Sequence, residues 1–468
     1  MNNSVLVIGG GAAGCAAALQ LADAGVHVVL VESKATLGGK LASILEKDAP
    51  EAPAPSEIPS LAAVASHSNI EIFTLTDVTD VTGEPGHLTV MFRQRQRFVN
   101  SACDQCNGCR NVCPVVTSNE YDAGLTFRKA IFQPFRTAVP ATYVIDLDSC
   151  LNDPPNYLPC QRCVQECHVN AIHFDVPLSK IFTREVGSVI LAAGYDLVGV
   201  DGLEPYGYGS HPDILTSMEL ERMFTVSGIT GGFISKPSNE EEPESVLIVV
   251  CDNTPFTWTY SVSHASRLLS QELGHIMLLG TATAPSRINP NDYLTGPVRD
   301  RVEVGRGQVQ SIKSTDQNKL KVDYTDPDGA NVSKEFDMVV LASAVRPPAG
   351  LGPFAETLGV ALGSDGYVAV TEKDGERVLT SRPGVYAAGC VSGPKNIDAA
   401  VSQSSAAVRQ ALSHLGGAHV KPIAEVSKGG NGHQEPAPAK TAAPAAVSVE
   451  QQLDEFVKLL IKLGENTP

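Results

Sequence analysis

Apolar runs at the start of the chain alternate with a helical pattern and predict an α/β unit. Residues Ser4 to Ile8 form an apolar run, an alanine-rich segment continues to about Ala24, and Val26 to Val31 is again mostly apolar. Apolar runs of this length predict buried strands, and the longer segment between them predicts a helix. This order is the beginning of a βαβ unit with a parallel sheet.

A second α/β unit begins in the middle of the chain. The apolar run Val246 to Val250 predicts a buried strand, Ser263 to Leu273 predicts a helix, and His275 to Leu279 predicts the next strand. Alternating apolar and polar residues over Val309 to Tyr324 predict further strands. Two such units agree with the two or three domains that a chain of 468 residues allows.

The end of the chain has a different pattern. Residues from about Lys421 to Ala445 are rich in Gly, Pro and Ala, which predicts a flexible linker. From Val449 to Leu463 the apolar residues recur on one face of a helix. We expect this amphipathic helix to dock on a partner subunit, because a helix that packs on its own core needs only a short connection. A helix folded on the same protein is the alternative.

The turn after the first predicted strand carries a dinucleotide fingerprint. The segment Gly9 to Gly14 contains G-x-G-x-x-G between a strand and a helix, which is the context that the motif requires. Gly9 permits the tight turn, Gly11 lets the backbone approach a pyrophosphate, and Gly14 allows close packing of helix and strand. The start of the helix supplies N–H groups to the phosphates. An ordinary glycine-rich turn is the alternative.

Further signals choose between the dinucleotides. Glu32 ends the second strand, where a carboxylate accepts hydrogen bonds from ribose hydroxyls and repels a 2′-phosphate, so NADP is excluded. Leu37-Gly38-Gly39 follows closely, and two later apolar runs end in Ala192-Ala193-Gly194 and Ala387-Ala388-Gly389. In this order the segments resemble the glycine signatures of the flavoprotein disulfide reductases, which implies FAD. That group usually has Asp after the last glycine, and Cys390 stands there in this chain.

The second unit lacks the fingerprint. Its first turn reads Cys251-Asp252-Asn253-Thr254-Pro255-Phe256 and contains no glycine. Side chains at these positions hold a pyrophosphate away from the backbone, and Pro255 removes an N–H donor. We therefore expect that no nicotinamide nucleotide binds this unit.

Cysteines concentrate between the two units. Eight of the eleven lie between Cys103 and Cys167, and such crowding in an intracellular protein favours metal binding over disulfides. The first four follow C-x2-C-x2-C-x3-C-P, the run of bacterial ferredoxins. The second four follow C-x9-C-x2-C-x3-C, with His168 in place of the proline. The alternative is structural zinc, which usually uses two C-x-x-C pairs.

Ferredoxin spacing predicts how the eight cysteines divide. Three thiolates of each run hold one 4Fe-4S cluster, and the fourth reaches across to the other cluster. One cluster is then held by Cys103, Cys106, Cys109 and Cys167, and the other by Cys150, Cys160, Cys163 and Cys113. The expanded first loop of the second run leaves open whether one cluster or two assemble.

With these motifs the chain resembles the A-subunits of the heterodisulfide reductases, and more narrowly the shorter form of sulfur-oxidising bacteria. The likeness covers most of residues 1–420 and includes Leu215 to Arg222 and the segments Gly389-Cys390 and Gly393-Pro394-Lys395. It implies an α/β fold of the two-dinucleotide-binding-domain type, similar to thioredoxin reductase, with an inserted ferredoxin-like domain. It also implies a cytoplasmic complex with other heterodisulfide reductase-like subunits, in which clusters connect FAD to a partner.

The resemblance has limits that bear on function. The methanogen protein bifurcates electrons at FAD, but this chain shows no ferredoxin domain after the core and no cysteine cluster near Tyr260 to His264. Oxidation of sulfane sulfur together with a lipoate-binding protein therefore fits better than bifurcation. An NAD(P)H-dependent flavoprotein reductase that feeds iron–sulfur clusters, and a non-redox assembly scaffold, are further alternatives.

The expected domain division and site residues follow from these signals. We predict a FAD-binding domain in three parts (residues 1–97, 179–242 and 341–420), the ferredoxin-like insert (98–178), the second nucleotide-binding-like domain (243–340), and the linker and helix (421–468). No catalytic acid, base or nucleophile is predicted. Lys395 is placed near the flavin ring, and a solvated loop lysine is the alternative. The predicted FAD-binding residues are Gly9, Gly11, Ala12, Ala13, Gly14, Glu32, Ser33, Gly38, Gly39, Lys40, Ala193, Gly194, Gly389, Cys390 and Lys395.

Charge and hydropathy narrow the choice of partners. The formal net charge is −17, with 35 basic and 52 acidic residues, which argues against a general nucleic-acid binder. No run reaches the ~18 apolar residues that a membrane-spanning helix needs, and no signal peptide is visible. We expect a cytoplasmic protein, and a homodimer.

Overall fold

A computed structural model of the chain describes residues 3–41, 59–152, 159–199, 202–226, 228–252, 254–281, 289–294, 296–373 and 375–415. The linker and the amphipathic helix predicted after residue 420 lie outside the described residues. The elements before the cysteine-rich region are β1 Ser4–Ile8, α1 Ala12–Asp23, β2 His27–Val31, α2 Leu61–Ser66, β3 Ile70–Phe73, β4 Thr76–Glu84 and β5 His87–Arg95.

The cysteine-rich insert has short elements joined by turns. Its elements are α3 Gly108–Val112, β6 Thr117–Ser118, β7 Phe127–Arg128, β8 Ile131–Phe132, β9 Val144–Ile145 and α4 Arg162–Glu166. A bridge between Val99 and Ile172 closes its base. The chain then continues with β10 Ser179–Val186, β11 Ser188–Leu191 and β12 Asp196–Leu197.

The insert grows from the end of a β hairpin. β10 pairs antiparallel with β5 along its whole length, from Ser179 opposite Arg95 to Val186 opposite Leu88. The residues between Arg95 and Ser179 therefore leave and re-enter the hairpin at the same end. The sequence placed the insert at residues 98–178, within this interval. Its ferredoxin-like character stays a prediction.

A second group of elements follows the hairpin. It contains β13 Ile214–Thr216, α5 Ser217–Met223, β14 Ser245–Val250, α6 Pro255–Ser270, β15 His275–Gly280, α7 Gly296–Arg301, β16 Glu303–Arg306, β17 Gln308–Ser314, β18 Leu320–Thr325, β19 Asn331–Phe336 and β20 Met338–Ala342. The last elements are β21 Val345–Arg346, α8 Leu351–Leu358, β22 Thr371–Lys373, β23 Glu376–Leu379, β24 Val385–Ala387 and α9 Ile397–His414.

The first unit is built on one sheet with strand order β22-β23-β24-β11-β1-β2-β3. β1 lies between β2 and β11 and is parallel to both, and β24 is parallel to β11. The antiparallel sheet β10-β5-β4 packs with it around a shared core that includes Leu6, Val90, Phe92 and Leu191. The ends of β1, β11 and β24 therefore meet at one edge, where the predicted glycine turns lie.

The second unit has a parallel sheet with strand order β13-β20-β14-β15-β16, and an antiparallel sheet β17-β18-β19. Helices α5, α6 and α7 pack on one face of the parallel sheet in a core that includes Trp258. The antiparallel sheet packs on the other face in a core that includes Phe336. The expected fold with two dinucleotide-binding-type units is confirmed. The structure differs at both boundaries of the second unit: β13 pairs with β20, so the unit begins well before the predicted residue 243, and β20 extends to Ala342, beyond the predicted residue 340.

The two units are joined by a pair of crossing strands. β12 and β21 pair antiparallel, Asp196 opposite Arg346 and Leu197 opposite Val345. Along the chain, β12 leads from the first unit into the second, and β21 leads back.

Candidate functional site

Two glycines of the fingerprint are required by packing. Gly9 has a φ of +103°, and a β-carbon there would lie 2.3 Å from the carbonyl oxygen of Ala192. A β-carbon on Gly14 would lie 1.8 Å from the carbonyl oxygen of Gly9. Any larger residue at either position would collide with backbone, so these glycines hold β1, β11 and α1 close together.

Gly11 differs from both, because a β-carbon there would meet no described atom within 4 Å. Gly11 also directly precedes α1, whose first two residues are Ala12 and Ala13. Among the described residues no side chain caps this helix, and its first turn has no acidic residue. The helix therefore presents backbone N–H groups and partial positive charge to open space, an arrangement that suits a pyrophosphate.

The carboxylate of Glu32 is fixed beside this turn. Its Oε2 accepts a hydrogen bond from the Gly10 N–H at 2.8 Å, and its Oε1 accepts one from the Lys34 N–H at 2.8 Å. The Ser33 hydroxyl donates to Oε1 at 3.3 Å. Each carboxylate oxygen can accept further hydrogen bonds, so a ribose hydroxyl fits here and a phosphate does not.

The later glycines lie at the same edge of the sheet. Gly194 follows β11 through Ala193, has a φ of +74°, and a β-carbon there would again meet nothing within 4 Å. Gly389 follows β24, and a β-carbon there would lie 2.7 Å from the β-carbon of Ala13. In the turn after β2, a β-carbon on Gly39 would come within 3.1 Å of the Gly11 Cα. The structure thus brings the predicted glycine turns together.

Lys395 makes its contacts within its own loop. Its Nζ donates to the carbonyl oxygens of Gly389 at 2.7 Å and Gly393 at 2.6 Å. The Cys390 Sγ donates to the carbonyl oxygen of Lys395 at 3.3 Å. Burial lowers the pKa of Lys395, and Cys390 acts in the opposite direction. The ammonium group therefore stabilises the loop after β24.

Lys40 and Tyr195 form a second polar feature at this edge. The Lys40 Nζ lies 5.0 Å from the centroid of the Tyr195 ring, a cation–π distance. Burial lowers the pKa of Lys40, as does Lys34, whereas Asp196 and Cys390 raise it. Burial also raises the pKa of Tyr195. Sequence reasoning did not select Tyr195, although its position directly after Gly194 is a usable signal.

Four cysteines from both runs line one cavity of the insert. It is lined by Cys103, Cys106, Cys109 and Cys167, together with Val99, Tyr143 and Ile172. Gln105 and Asn107 have φ of +61° and +67°, the left-handed conformation that turns the chain between the first three thiols. The Tyr143 hydroxyl donates to Asn107 Oδ1 and fixes this loop. Apolar walls with convergent thiols suit a thiolate-ligated cluster.

The other four cysteines line a second cavity. Its lining includes Cys113, Cys150, Cys160 and Cys163, with Pro114 and Ile131 among the other residues. The structure therefore brings the eight cysteines together in the two groups that ferredoxin spacing predicts. Their role as ligands stays a prediction.

Two short helices explain the exchange of cysteines between the runs. Cys109 lies within α3 and Cys113 directly follows it, and Cys163 lies within α4 and Cys167 directly follows it. Four residues of helix advance the chain by about 6 Å. Each helix thus carries its last cysteine away from its own group and into the neighbouring cavity.

The thiols influence one another. Burial is the largest cause that raises the pKa of Cys109 to about 12; the neighbouring Cys103, Cys163 and Cys106 contribute to this rise, and a hydrogen bond from the Arg110 backbone opposes it. Burial likewise raises the pKa of Cys163 to about 11, with contributions from Cys150, Cys113 and Cys160. Several thiolates close together are unfavourable in an apolar site, and a bound cation relieves this repulsion.

In the second unit, side chains of the turn after β14 bond the backbone N–H groups at this place. Thr254 Oγ1 accepts the Thr257 N–H at 3.2 Å and so caps α6. Asp252 Oδ1 accepts the Thr254 N–H at 3.2 Å. A carboxylate and a capping hydroxyl occupy the place where a nucleotide-binding turn exposes its N–H groups, so the geometry disfavours a pyrophosphate.

The fold and the glycine-lined edge define a flavoprotein oxidoreductase. Residues 4–49 match the family model described as FAD dependent oxidoreductase. The chain is 32% identical over 443 residues to an iron-sulfur A-subunit of the CoB–CoM heterodisulfide reductase of Methanopyrus kandleri, which covers 90% of this chain and 66% of that protein. It is 31% identical over 453 residues to the A-subunit of the H2:CoB-CoM heterodisulfide,ferredoxin reductase of Methanothermobacter marburgensis, which covers 91% and 66%.

The chain belongs to the family of heterodisulfide reductase A-subunits. It spans 66% of the length of these two relatives. Among solved structures, thioredoxin reductase of T. acidophilum is similar with 17% identity and a TM-score of 0.47, covering 88% of this chain and 98% of that one. Thioredoxin reductase of Lactococcus lactis gives 15% identity and a TM-score of 0.45. Within the described ranges, no helix has the length and apolar character needed to cross a membrane.

Proposed function

We propose that the chain is a FAD- and 4Fe-4S-containing electron-transfer subunit of a heterodisulfide reductase-like complex. The observation that carries the proposal is the presence of two four-cysteine cavities in an insert attached to the unit that holds the glycine-lined edge. Bound FAD would exchange electrons singly or in pairs, and clusters exchange them singly. The protein would therefore connect a two-electron reaction to one-electron partners.

The insert contacts the glycine turn directly, which supports this connection. The Leu37 N–H donates to the carbonyl oxygen of Val139 at 3.0 Å, and the Val139 N–H donates to Thr36 Oγ1 at 3.0 Å. Arg97 donates to the carbonyl oxygen of Ala35 in the same turn. The turn with Gly38 and Gly39 is thus attached to the cysteine-rich insert.

The residues of the edge have distinct roles in this proposal. Gly11 and Gly194 keep side chains out of the space for the cofactor, and Glu32 accepts the hydroxyls of its ribose. Lys40 and Lys395 supply positive charge on the side of Cys390, where the reduced cofactor would carry negative charge. The eight cysteines of the two cavities ligate the clusters.

The physiological direction is the finer part of the proposal. The relatives are named for reduction of the CoB–CoM heterodisulfide, and we propose that this chain acts in oxidation of sulfane sulfur in the cytoplasm. Residues 252–389 contain no cysteine, so a further cluster at Tyr260 to His264, as expected for bifurcation, has no thiolate ligands there. Its proposed partners are other subunits of the complex and a lipoate-binding protein, with a homodimer as its own assembly.

Anaerobic purification tests the proposal. We expect one FAD and about eight iron and eight sulfide per chain if both clusters assemble, and about four of each if one does. A redox titration followed by EPR should show cluster signals that appear on reduction. A colourless protein, or zinc in place of iron, would overturn the electron-transfer function. Failure of the assembled complex to oxidise any sulfane-sulfur compound would overturn only the proposed direction.

A further inference from the structure

Helix α5 carries two neighbouring charged residues that point to different parts of the molecule. Glu221 accepts a hydrogen bond from Arg267 at 2.6 Å and pairs with His264 at 2.7 Å. Both of these partners lie on α6 of the second unit. Arg222 donates through Nε to Asp122 Oδ1 at 2.8 Å, and Asp122 belongs to the insert. The Arg222 and Asp122 side chains are 9% and 8% exposed, so the ion pair is buried.

The position of Arg222 is fixed by the helix that carries it. α5 begins with a capping box in which the Thr216 hydroxyl accepts the Glu219 N–H at 3.2 Å and the Glu219 carboxylate accepts the Thr216 N–H at 2.6 Å. The pair of Glu221 with α6 holds the other side of the helix. Arg222 is therefore presented to the insert by a rigid element of the second unit.

The contact with the insert has an apolar component as well. Leu125 of the insert, which follows Asp122 closely along the chain, packs against the core of the second unit. The insert thus contacts the second unit through Asp122 and Leu125. It contacts the first unit through the β5–β10 hairpin and through Val139.

This double attachment matters because the chain passes between the units only through β12 and β21, beside which Tyr195 contacts Phe256 of α6. β12 and β21 are two residues each, and short connections of this kind allow domains to rotate. A buried ion pair is stable only when both charges stay in contact, since separating them leaves an uncompensated charge in an apolar place. A contact of this kind between the insert and the second unit opposes rotation of that unit against the first.

We propose that Arg222 and Asp122 are positioning residues that lock the second unit onto the insert and so fix both units around the cluster and flavin sites. The inference rests on the proposed electron-transfer function, because transfer between fixed centres requires a fixed separation. It also gives a role to the segment Leu215 to Arg222, which carries part of the family resemblance.

Hydrogen exchange of the full-length protein, carrying its cofactors, tests the lock. In Asp122→Asn we expect exchange to become faster by on the order of tenfold in the peptide with residues 120–128 and also in the peptides with β12 and β21. The connecting strands belong neither to the insert nor to α5, so a merely local structural role would leave their exchange unchanged. Unchanged exchange in β12 and β21 would therefore overturn the proposal.

Two further variants make the result decisive. The double variant Asp122→Leu with Arg222→Met replaces the pair by an apolar contact and should exchange as the wild type does in β12 and β21; faster exchange there contradicts the lock. Arg128→Gln breaks a pair with Glu120 and Asp146 inside the insert, where Arg128 is 12% exposed, and should leave β12 and β21 unaffected. Absence of FAD or iron from the wild type would refute the proposed function, whereas the exchange in β12 and β21 refutes only the lock.

Discussion

Gly39 and Gly11 approach so closely that a β-carbon on Gly39 would lie 3.1 Å from the Gly11 Cα. Gly39 follows β2 and Gly11 follows β1, so the two turns close one side of the open space in front of α1. At these two positions the wall consists of backbone, because neither residue has a side chain. Such a lining suits a pyrophosphate, which is bound by N–H groups at close range.

Gly11→Val should abolish binding of FAD. A β-carbon at Gly11 would enter open space, so the variant is expected to fold, but the side chain would fill the place of the pyrophosphate. Flavin absorbance per chain after purification measures the effect. Gly352→Val is the matched control, because Gly352 also faces open space, on α8. Full yellow colour in Gly11→Val would reject the assignment.

The glycine turns could be predicted because their roles are local. Gly14 packs against the carbonyl oxygen of Gly9 within one strand–turn–helix, and the motif records this contact in its spacing, whereas Gly9 itself packs against Ala192 after the neighbouring strand β11. The environment of Lys395 could not be predicted in the same way. Its hydrogen bonds to Gly389 and Gly393 depend on the conformation of the loop after β24, which no spacing rule specifies.

Cysteine substitutions should reveal the exchange between the two runs. Cys106 and Cys167 line the same cavity, so Cys106→Ser and Cys167→Ser should each lose about four iron atoms per chain. The double variant should lose no more iron than either single variant. Cys106→Ser combined with Cys163→Ser affects both cavities and should lose about eight. Iron, sulfide and FAD are counted in each variant after anaerobic purification.

Cys251→Ser is the control for this series, since Cys251 lies in the second unit and should leave the iron content unchanged. Flavin content should stay constant in all variants. A double Cys106→Ser and Cys167→Ser protein that loses twice the iron of either single variant would contradict the predicted grouping. A loss of zinc instead of iron would identify a structural metal site.

The beginning of α6 shows where sequence reasoning failed. A helix was predicted over Ser263 to Leu273, but α6 spans Pro255–Ser270. Proline is favoured at the first helical position and Thr254 is a good cap, so these two residues mark the beginning of the helix. Buried polar residues such as Thr257 and Ser261 also obscure the apolar face.

Reduced nicotinamide nucleotides should not reduce the bound flavin within milliseconds. The Asp252 carboxylate and the Thr254 hydroxyl occupy the turn that would receive a pyrophosphate in the second unit. Stopped-flow absorbance at the flavin band, with NADH and NADPH in separate experiments, measures this under anaerobic conditions. Dithionite serves as the positive control. Rapid bleaching by either nucleotide would establish a pyridine-nucleotide-dependent reductase.

The contacts between distant segments were beyond the reach of a single sequence. Asp122 and Arg222 are 100 positions apart, and neither lies in a recognisable spacing pattern with the other. Likewise the pairing of β13 with β20 moved the boundary of the second unit, because a three-residue strand has too short an apolar pattern to be assigned to a sheet. Such features follow from how the units pack.

The buried carboxylate of Glu221 should contribute to stability in a pH-dependent manner. Burial alone raises the pKa of Glu221, but hydrogen bonds and charges from His264 and Arg267 outweigh it, so this pKa lies below its ordinary value. A lowered folded-state pKa means that the stabilisation is present above the unfolded-state pKa of about 4.3 and is lost as the pH falls through the folded-state value. Acidification should therefore weaken this contact below about pH 4.

Glu221→Gln should lower the free energy of unfolding at pH 7 by about 3 kcal/mol, because it leaves Arg267 without its buried counter-charge. The melting temperature should fall by several degrees at pH 7, and the difference from wild type should narrow as the pH falls below about 4. Glu303→Gln is the matched control: Glu303 also pairs with a histidine and a cation, His275 and Lys334, but its side chain is 42% exposed. Exposed ion pairs contribute little to the free energy of unfolding, so this control should melt near the wild-type temperature in both pH ranges. A difference between Glu221→Gln and wild type that is the same at pH 7 and below about pH 4 would show that packing, and not the charge of Glu221, stabilises α5 against α6.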